Sequence, residues 1–160
     1  MAMIYGTTGD DFLMTTIGDD TVLAGLGNDD IVAGSGSDLI YAGARGSAVY
    51  WRMGFNDLDL VSYSIMGGGI RVDLGLGRVE KTRDGALIGT DTLVGVDAVH
   101  GSNFADTFIG RDFWHYERFM GGGGANRIDG RGGVDEADYS YSSSISANLA
   151  TGLVSHSTFP

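Results

Sequence analysis

The sequence predicts an all-β fold in which short parallel strands, joined by glycine turns, coil into a roll. Near the N-terminus, three columns of residues repeat every nine positions. A glycine is followed two residues later by an aspartate, and two residues after that by an aliphatic side chain. The columns are Gly9, Gly18, Gly27 and Gly36; Asp11, Asp20, Asp29 and Asp38; and Leu13, Val22, Ile31 and Ile40. Four copies in phase indicate a coil-forming repeat.

Each unit has room for one turn and one short strand. Glycine lets the backbone turn through positive φ, and the stretch around the aliphatic residue holds about three extended residues, roughly 10 Å of strand. One unit reverses the chain and two complete a flattened coil, so alternate units stack about 4.8 Å apart. This stacking places Asp11 beside Asp29 and Asp20 beside Asp38.

Stacked carboxylates repel each other unless a cation lies between them. Aspartate carboxylates and turn carbonyls are hard oxygen ligands, which suit calcium better than a soft transition metal or magnesium. The chain has 10 basic and 21 acidic residues, a net charge of −11. Such a charge disfavours nucleic acid and anionic membranes as partners, and the absence of cysteine excludes disulfides and thiolate sites.

The repeat resembles the nonapeptide G-G-x-G-x-D-x-U-x of the RTX (hemolysin-type) calcium-binding β-roll family. The matching units are 15–22, 24–31 and 33–40, preceded by a degenerate first unit whose last residues are 9–13. Thr7 and Thr16 stand where the family has its second glycine. The resemblance implies a right-handed parallel β-roll in which turn carbonyls and the carboxylates of neighbouring coils bind calcium. The ligands it implicates here are Asp11, Asp20, Asp29, Asp38, Gly9, Gly18, Gly25, Gly27, Gly34 and Gly36.

A second, weaker series follows later in the chain. The same phase returns with Asp97 and Asp106, and then with Glu117, Asn126 and Asp135. The resemblance makes all five candidate calcium ligands. Because asparagine carries no charge and glutamate is longer than aspartate, we expect only one or two sites here, with lower calcium affinity than the N-terminal pairs.

The two series suggest two tandem roll segments, a first module at 5–96 and a more degenerate second module at 97–160. Alternating apolar and polar residues at 70–77 and 145–152 predict half-buried strands after each series. Two aromatic insertions, 44–53 and 111–120, interrupt the phase. They either close a roll end with apolar area or form a ligand surface that stacks on sugar rings; the candidates are Tyr50, Trp51, Arg52, Trp114, Tyr116 and Arg118.

A further apolar column points away from the predicted core. Met14, Leu23, Val32 and Tyr41 directly follow the inward aliphatic residues. In a strand of three residues they should face outward. Either later strands cover this face, or it serves self-association or a partner.

Catalytic motifs find little support. His100, His115 and His156 lack zinc spacing, and the acid pairs Asp57 with Asp59 and Asp135 with Asp138 fit turns and calcium better than a glycosidase. No apolar run approaches the roughly 18 residues of a membrane span, and no cleavable signal is recognised.

The sequence therefore predicts a non-enzymatic calcium-binding module that folds when calcium binds outside the cell. The resemblance implies a secreted bacterial protein exported by type I secretion. The alternative is a module that binds an extracellular polysaccharide or surface through the aromatic insertions, as an accessory domain of a secreted enzyme or adhesin.

Overall fold

The computed structural model describes residues 1–43 and 58–140, together with the backbone of two strands at 145–148 and 153–156. These residues form sixteen β-strands and no helix. The predicted all-β class is confirmed. In chain order the strands are β1 (Met3–Tyr5), β2 (Phe12–Met14), β3 (Thr21–Leu23), β4 (Asp30–Val32), β5 (Leu39–Tyr41), β6 (Leu60–Ser62), β7 (Ile70–Asp73), β8 (Arg78–Arg83), β9 (Ala86–Val94), β10 (Ala98–His100), β11 (Thr107–Ile109), β12 (Tyr116–Met120), β13 (Ala125–Asp129), β14 (Val134–Asp138), β15 (Ile145–Asn148) and β16 (Leu153–His156).

Consecutive repeat strands alternate between two sheets. The six-stranded sheet is parallel throughout, in the order β14-β12-β10-β6-β4-β2. The ten-stranded sheet has the order β1-β3-β5-β9-β8-β7-β11-β13-β16-β15. Its repeat strands are parallel, whereas β7-β8, β8-β9, β13-β16 and β15-β16 are antiparallel pairs. The predicted stacking of alternate units is therefore present in both sheets.

The core lies between the two sheets and is filled by the inward column of the repeat. Val22, Ile31 and Ile40 are buried, and Leu13 packs partly buried against them. Later strands continue this column with Val61, Val99, Phe108 and Phe119. The rings of Phe108 and Phe119 lie 5.6 Å apart between centroids, in a tilted arrangement, so the core of the later coils is aromatic where that of the first coils is aliphatic.

The outward column remains partly accessible. Met14 is 53% exposed, Leu23 38% and Tyr41 41%, and Val32 is half-buried. The described strands thus leave much of this apolar face open to solvent, and self-association through it stays a prediction.

A hairpin between β8 and β9 separates the first repeat strands of the ten-stranded sheet from the later ones. Asp84 and Gly85 form its two-residue turn with φ of 51° and 77°. Positive φ at both central residues matches the twist of antiparallel strands and favours an Asp-Gly pair. The nine-residue repeat does not predict this hairpin.

The prediction that residues 111–120 form an insertion is only partly correct. Residues 116–120 form β12, which pairs in parallel with β10 and β14. The pairing joins Ala98 to Arg118, two residues more than the repeat of the first coils, where Phe12 pairs with Asp30. The extra residues lie in the turn before β12. The other predicted insertion, 44–53, lies outside the described residues.

β6 pairs with β10, so the six-stranded sheet runs across the predicted boundary at 96/97. The division into two modules and the right-handed sense of the roll stay predictions. Within the described part of the chain, no helix is long and apolar enough to cross a membrane.

Candidate metal centre at the two turn edges

The turns of the roll line up along two edges. The first turn edge consists of the turns that lead into the six-stranded sheet, such as 6–11 and 24–29. The second turn edge consists of those that lead into the ten-stranded sheet, such as 15–20 and 33–38. An acidic residue ends almost every turn on both edges, so each edge carries a column of acidic side chains.

Parallel register stacks these acidic residues. It brings Asp11 beside Asp29 on the first edge and Asp20 beside Asp38 on the second, as the repeat predicts. The first column holds Asp11, Asp29, Asp59, Asp97, Glu117 and Asp135. The second holds Asp20, Asp38 and Asp91 and, on the far side of the β8–β9 hairpin, Asp106 and Asn126.

Backbone amides hold the stacked carboxylates in place. One carboxylate oxygen of each residue accepts a hydrogen bond from the N–H of the acidic residue one coil earlier. These bonds measure 2.8 to 3.0 Å and join Asp11 to Asp29, Asp20 to Asp38, Asp29 to Asp59, and Asp38 to Asp91. The chain thus fixes like charges one strand spacing apart, an arrangement that a cation would stabilise.

Threonine in the first two turns supports the aspartate of the same turn. Thr16 donates to Oδ2 of Asp20 through its N–H at 2.7 Å and its hydroxyl at 2.6 Å. Thr7 makes the equivalent pair of bonds to Asp11. The hydroxyl of Thr16 lowers the pKa of Asp20, because a hydrogen bond to the charged form favours ionisation.

Glycine is required where successive turns touch. Gly27 has φ of 108°, and a Cβ built there would lie 2.6 Å from the carbonyl carbon of Gly9. Gly36 has φ of 90° and stands in the same relation to Gly18. Both the conformation and the contact exclude a side chain. The turns therefore stack backbone on backbone.

Burial makes the acidic columns costly without a counter-charge. Asp29 and Asp91 have no solvent exposure, and Asp38 is 2% exposed. Burial, followed by repulsion from Asp91, raises the pKa of Asp38 to about 6. Burial also raises the pKa of Asp106 to about 6. In both cases removal from water disfavours the charged carboxylate.

The donors at these edges fit calcium, which takes six to eight oxygen ligands from carboxylates, carbonyls and water. Each pair of stacked turns offers two carboxylates, and the other nearby donors are turn carbonyls. Across 1–43 and 58–140 there is no group of three or more His, Cys, Asp or Glu side chains placed to hold a metal ion. The ligands that the repeat would supply are two acids with backbone oxygens.

Glu117, in the first column, forms an ion pair with the buried side chain of Arg111. The Arg111 guanidinium lies 2.6 Å from Oε1 of Glu117, and its other nitrogen donates to the carbonyl of Val96 at 2.7 Å. The N–H of Arg111 also donates to Oε2 of Glu117 at 3.0 Å. Both side chains are almost fully buried. A side-chain cation therefore neutralises this position of the first column.

Asn126 is fully buried and places a side-chain amide where the second column otherwise has a carboxylate. Its Oδ1 accepts from the N–H of Asp106 at 2.9 Å, just as the aspartates of the column do. Its Nδ2 donates to the carbonyls of Gly121 at 2.9 Å and Gly123 at 3.1 Å. Turn carbonyls that could bind a cation are thus occupied by an N–H donor.

The remaining predicted residues of the second series differ in exposure. Asp97 is largely buried and its Oδ1 lies 2.6 Å from Nε2 of His115. Asp135 is exposed on the last strand of the six-stranded sheet, and partial burial raises its pKa. Asp106 lies next to Ser102, whose hydroxyl donates to it at 2.9 Å.

Sequence reasoning did not place four residues at the columns, although it had given one of them, Asp59, a turn or calcium role. Asp59 and Asp91 extend the columns, and Tyr63 donates its hydroxyl to Oδ2 of Asp91 at 2.9 Å. Lys81, on β8, reaches Asp38 and Asp91 with a side chain that has no solvent exposure. The available signal was a lysine at an inward position of a strand that alternates inward and outward residues. Because β8 lies outside the nine-residue repeat, the repeat did not point to this lysine.

Of the predicted ligand-surface residues, the structure describes Trp114, Tyr116 and Arg118. Trp114 is 75% exposed and its neighbour Phe113 is 54% exposed. Tyr116 donates to Glu136, and Arg118 pairs with Asp138, so these two side chains serve contacts between β12 and β14. Tyr50, Trp51 and Arg52 lie outside the described residues.

Comparison with protein families identifies a calcium-binding repeat in the chain. The model of the RTX calcium-binding nonapeptide repeat matches residues 5–44 and 117–138, in four copies. Repeats of this kind bind calcium, and the match covers the acidic residues from Asp11 to Asp38 and those from Glu117 to Asp135. No curated protein matches the chain.

Proposed function

Because the chain carries RTX calcium-binding nonapeptide repeats, we propose that it is a calcium-binding β-roll module of a secreted bacterial protein. The module is non-catalytic and folds when calcium binds outside the cell. Its roll is right-handed and has two tandem segments, 5–96 and 97–160. Calcium binds at the turn edges, between stacked acidic residues.

The observation that carries the proposal is the pair of buried acidic columns. Asp29 and Asp38 each accept an N–H from the coil before and donate their own N–H to the carboxylate of the coil after. Folding the chain without cations must bury these like charges on a molecule of net charge −11, which opposes the compact state. A calcium ion between turns removes this penalty.

The expected ligands follow from the repeat. The carboxylates of Asp11, Asp29, Asp20 and Asp38, with carbonyls of their turns, would hold the N-terminal ions. When bound, calcium supplies charge neutralisation and cross-links adjacent coils. At a concentration 100 times its dissociation constant, an ion adds about 2.7 kcal/mol per site to the free energy of unfolding.

Circular dichroism and thermal melting in EDTA and in millimolar calcium test the proposal. We expect a β spectrum and a higher melting temperature in calcium. Asp29→Ala should weaken calcium affinity and loosen residues 9–41 in hydrogen exchange. Asp30→Ala is the matched control, because Asp30 is the next residue and is exposed. Identical spectra and melting temperatures in the two buffers would contradict calcium-dependent folding.

Exposed aromatic area favours a second candidate, binding of an extracellular polysaccharide. Trp114 and Phe113 are adjacent and exposed, and tryptophan faces stack well on apolar sugar faces. A glycan array with the wild type and Trp114→Ala tests this function. Binding that disappears in the variant supports it, whereas absence of binding contradicts it.

A further inference from the structure

Lys81 is the single lysine of the chain, and its side chain is fully buried. Its ammonium group contacts three oxygens: Oδ1 of Asp91 at 2.6 Å, the carbonyl of Gly34 at 2.8 Å and Oδ2 of Asp38 at 3.4 Å. Burying an ammonium group is costly unless it is paired and hydrogen-bonded. These three contacts match the three N–H donors of a lysine.

The oxygens around Lys81 are those of a cation position in the repeat. Gly34 and Asp38 belong to one turn of the second edge and are among the residues that the repeat implicates as calcium ligands. Asp91 follows Asp38 in the column, since the next residues, Leu39 and Thr92, pair in register. One turn carbonyl and two stacked carboxylates thus surround a positive charge that the chain itself provides.

The β8–β9 hairpin delivers this charge. Along β8, Val79 and Lys81 point inward, while Arg78 and Arg83 at the strand ends are exposed. Opposite Lys81 on β9 lies Gly89, where a Cβ would meet the carbonyl oxygen of Gly36 at 1.9 Å. Without that Cβ, β9 packs directly against the turn. This close packing brings Lys81 within reach of Asp38.

We propose that the Lys81 ammonium group is a built-in cation that takes the place of calcium between Asp38 and Asp91 and ends the calcium column of the second turn edge. The proposal deepens the proposed function, because it rests on that function for the claim that earlier positions of the column bind calcium. It also defines a latent calcium site that opens when the lysine side chain is removed.

The dimensions permit the exchange. The three oxygens lie 2.6 to 3.4 Å from Nζ, and calcium binds oxygen at about 2.3–2.6 Å. The oxygens of Asp91 and Gly34 would therefore close by at most about half an ångström and that of Asp38 by about 1 Å. Water in the space left by the side chain would supply further ligands. The hydroxyl of Tyr63, bonded to the other oxygen of Asp91, keeps that carboxylate aimed at the site.

Three variants test the proposal by calcium titration calorimetry and thermal melting. Lys81→Ala opens the site, Lys81→Met removes the charge but fills the space, and Arg78→Ala removes a charge from an exposed position of the same strand. We expect Lys81→Ala to bind about one more calcium ion per chain than the wild type and to recover its melting temperature in calcium. Lys81→Met should lose stability that calcium does not restore, and Arg78→Ala should match the wild-type count.

An unchanged count for folded Lys81→Ala overturns the proposal. So does failure of this variant to regain a folded spectrum at saturating calcium, because the site then does not accept the ion. If the wild type binds no calcium, the proposed function fails, whereas an extra ion in Lys81→Ala still upholds the latent site. The two failures are therefore distinguishable.

Amine acylation of the wild type provides a second measurement. With one lysine in the chain, mass spectrometry should find acylation of the α-amine alone in calcium-saturated protein, and of both amines after denaturation. Acylation of Lys81 at the denatured rate in saturating calcium would mean that calcium displaces the ammonium group, which contradicts its role as a fixed cation.

Discussion

The N-terminal turns and the later turns of the roll hold their acidic side chains differently. At Asp11 and Asp20, backbone amides and threonine hydroxyls hold the carboxylates. At Glu117 a buried arginine approaches the carboxylate, and at Asn126 an amide replaces it. The strand stacking is the same in both regions. The comparison teaches that one backbone can hold its acidic column either through neutral hydrogen-bond donors or through a side-chain cation.

This difference gives the degenerate repeats a physical meaning. A glutamate or an asparagine in the aspartate column looks like a lost calcium ligand when only the column is considered. In the structure each comes with a partner, Arg111 for Glu117 and turn carbonyls for Asn126. We therefore expect the later coils to depend on side-chain contacts more than on calcium.

Arg111→Met should have the largest effect. It leaves Glu117 buried beside a neutral side chain, and breaking a buried ion pair costs about 3–5 kcal/mol. Urea unfolding with and without calcium measures the loss, which should be similar in both buffers. Arg131→Met is the control, because the Arg131 pair with Asp112 is exposed and should change stability by about 0–1 kcal/mol. If calcium fully restored the stability that Arg111→Met loses, the later turns would depend on calcium as the N-terminal turns do, and the proposed difference between the two regions would be wrong.

Asn126→Ala should have an intermediate effect. It removes two N–H donors from turn carbonyls and one acceptor from the N–H of Asp106, all in a buried position. Leaving such groups unsatisfied costs about 1–3 kcal/mol. Calcium affinity, measured by calorimetry, should stay at the wild-type value, in contrast to Asp29→Ala. Weaker calcium binding in Asn126→Ala would place a calcium ligand in the later coils.

The smallest effect concerns pH in calcium-free buffer. Burial raises the pKa of Asp106 to about 6, above the value of about 3.9 for an unfolded aspartate. Between these pH values the folded state binds more protons than the unfolded state, so stability falls as pH rises from about 4 to 6, by at most about 1.4 kcal/mol per pH unit for this group. Asp106→Asn should remove this part of the slope in urea unfolding across the window. If the wild type and Asp106→Asn showed the same dependence of stability on pH, the raised pKa of Asp106 would be contradicted.

The repeat columns were sufficient to predict the first coils. The predicted strands, the buried column from Val22 to Ile40 and the pairing of Asp11 with Asp29 all follow from a strict nine-residue period, because identical units can only stack in phase. The period also located the later strands β11, β13 and β14. It also placed Glu117 in phase with Asn126, but the two extra residues between Asp106 and Glu117 led to the whole segment 111–120, including β12, being assigned as an insertion.

The hairpin and its lysine could not be predicted from the repeat. The Asp84–Gly85 pair is a recognisable turn signal, and β8 alternates inward and outward residues. The sequence does not say which acidic residues an inward lysine will meet, because that depends on how β9 aligns with β5. Long-range pairing therefore decided the position of Lys81, whereas local periodicity decided the positions of the aspartates.

The β8–β9 hairpin also bears on how the chain avoids misfolding. A strand displaced by one residue turns its buried side chains to the solvent, but a displacement by a whole coil keeps every aliphatic residue inside. Repeats alone therefore do not distinguish the native alignment from one shifted by a coil. The β8–β9 hairpin is local and lies outside the nine-residue repeat, and short hairpins form within microseconds. We expect it to form early and act as a reference point, since only the alignment that joins β9 to β5 brings Lys81 to both of its carboxylates.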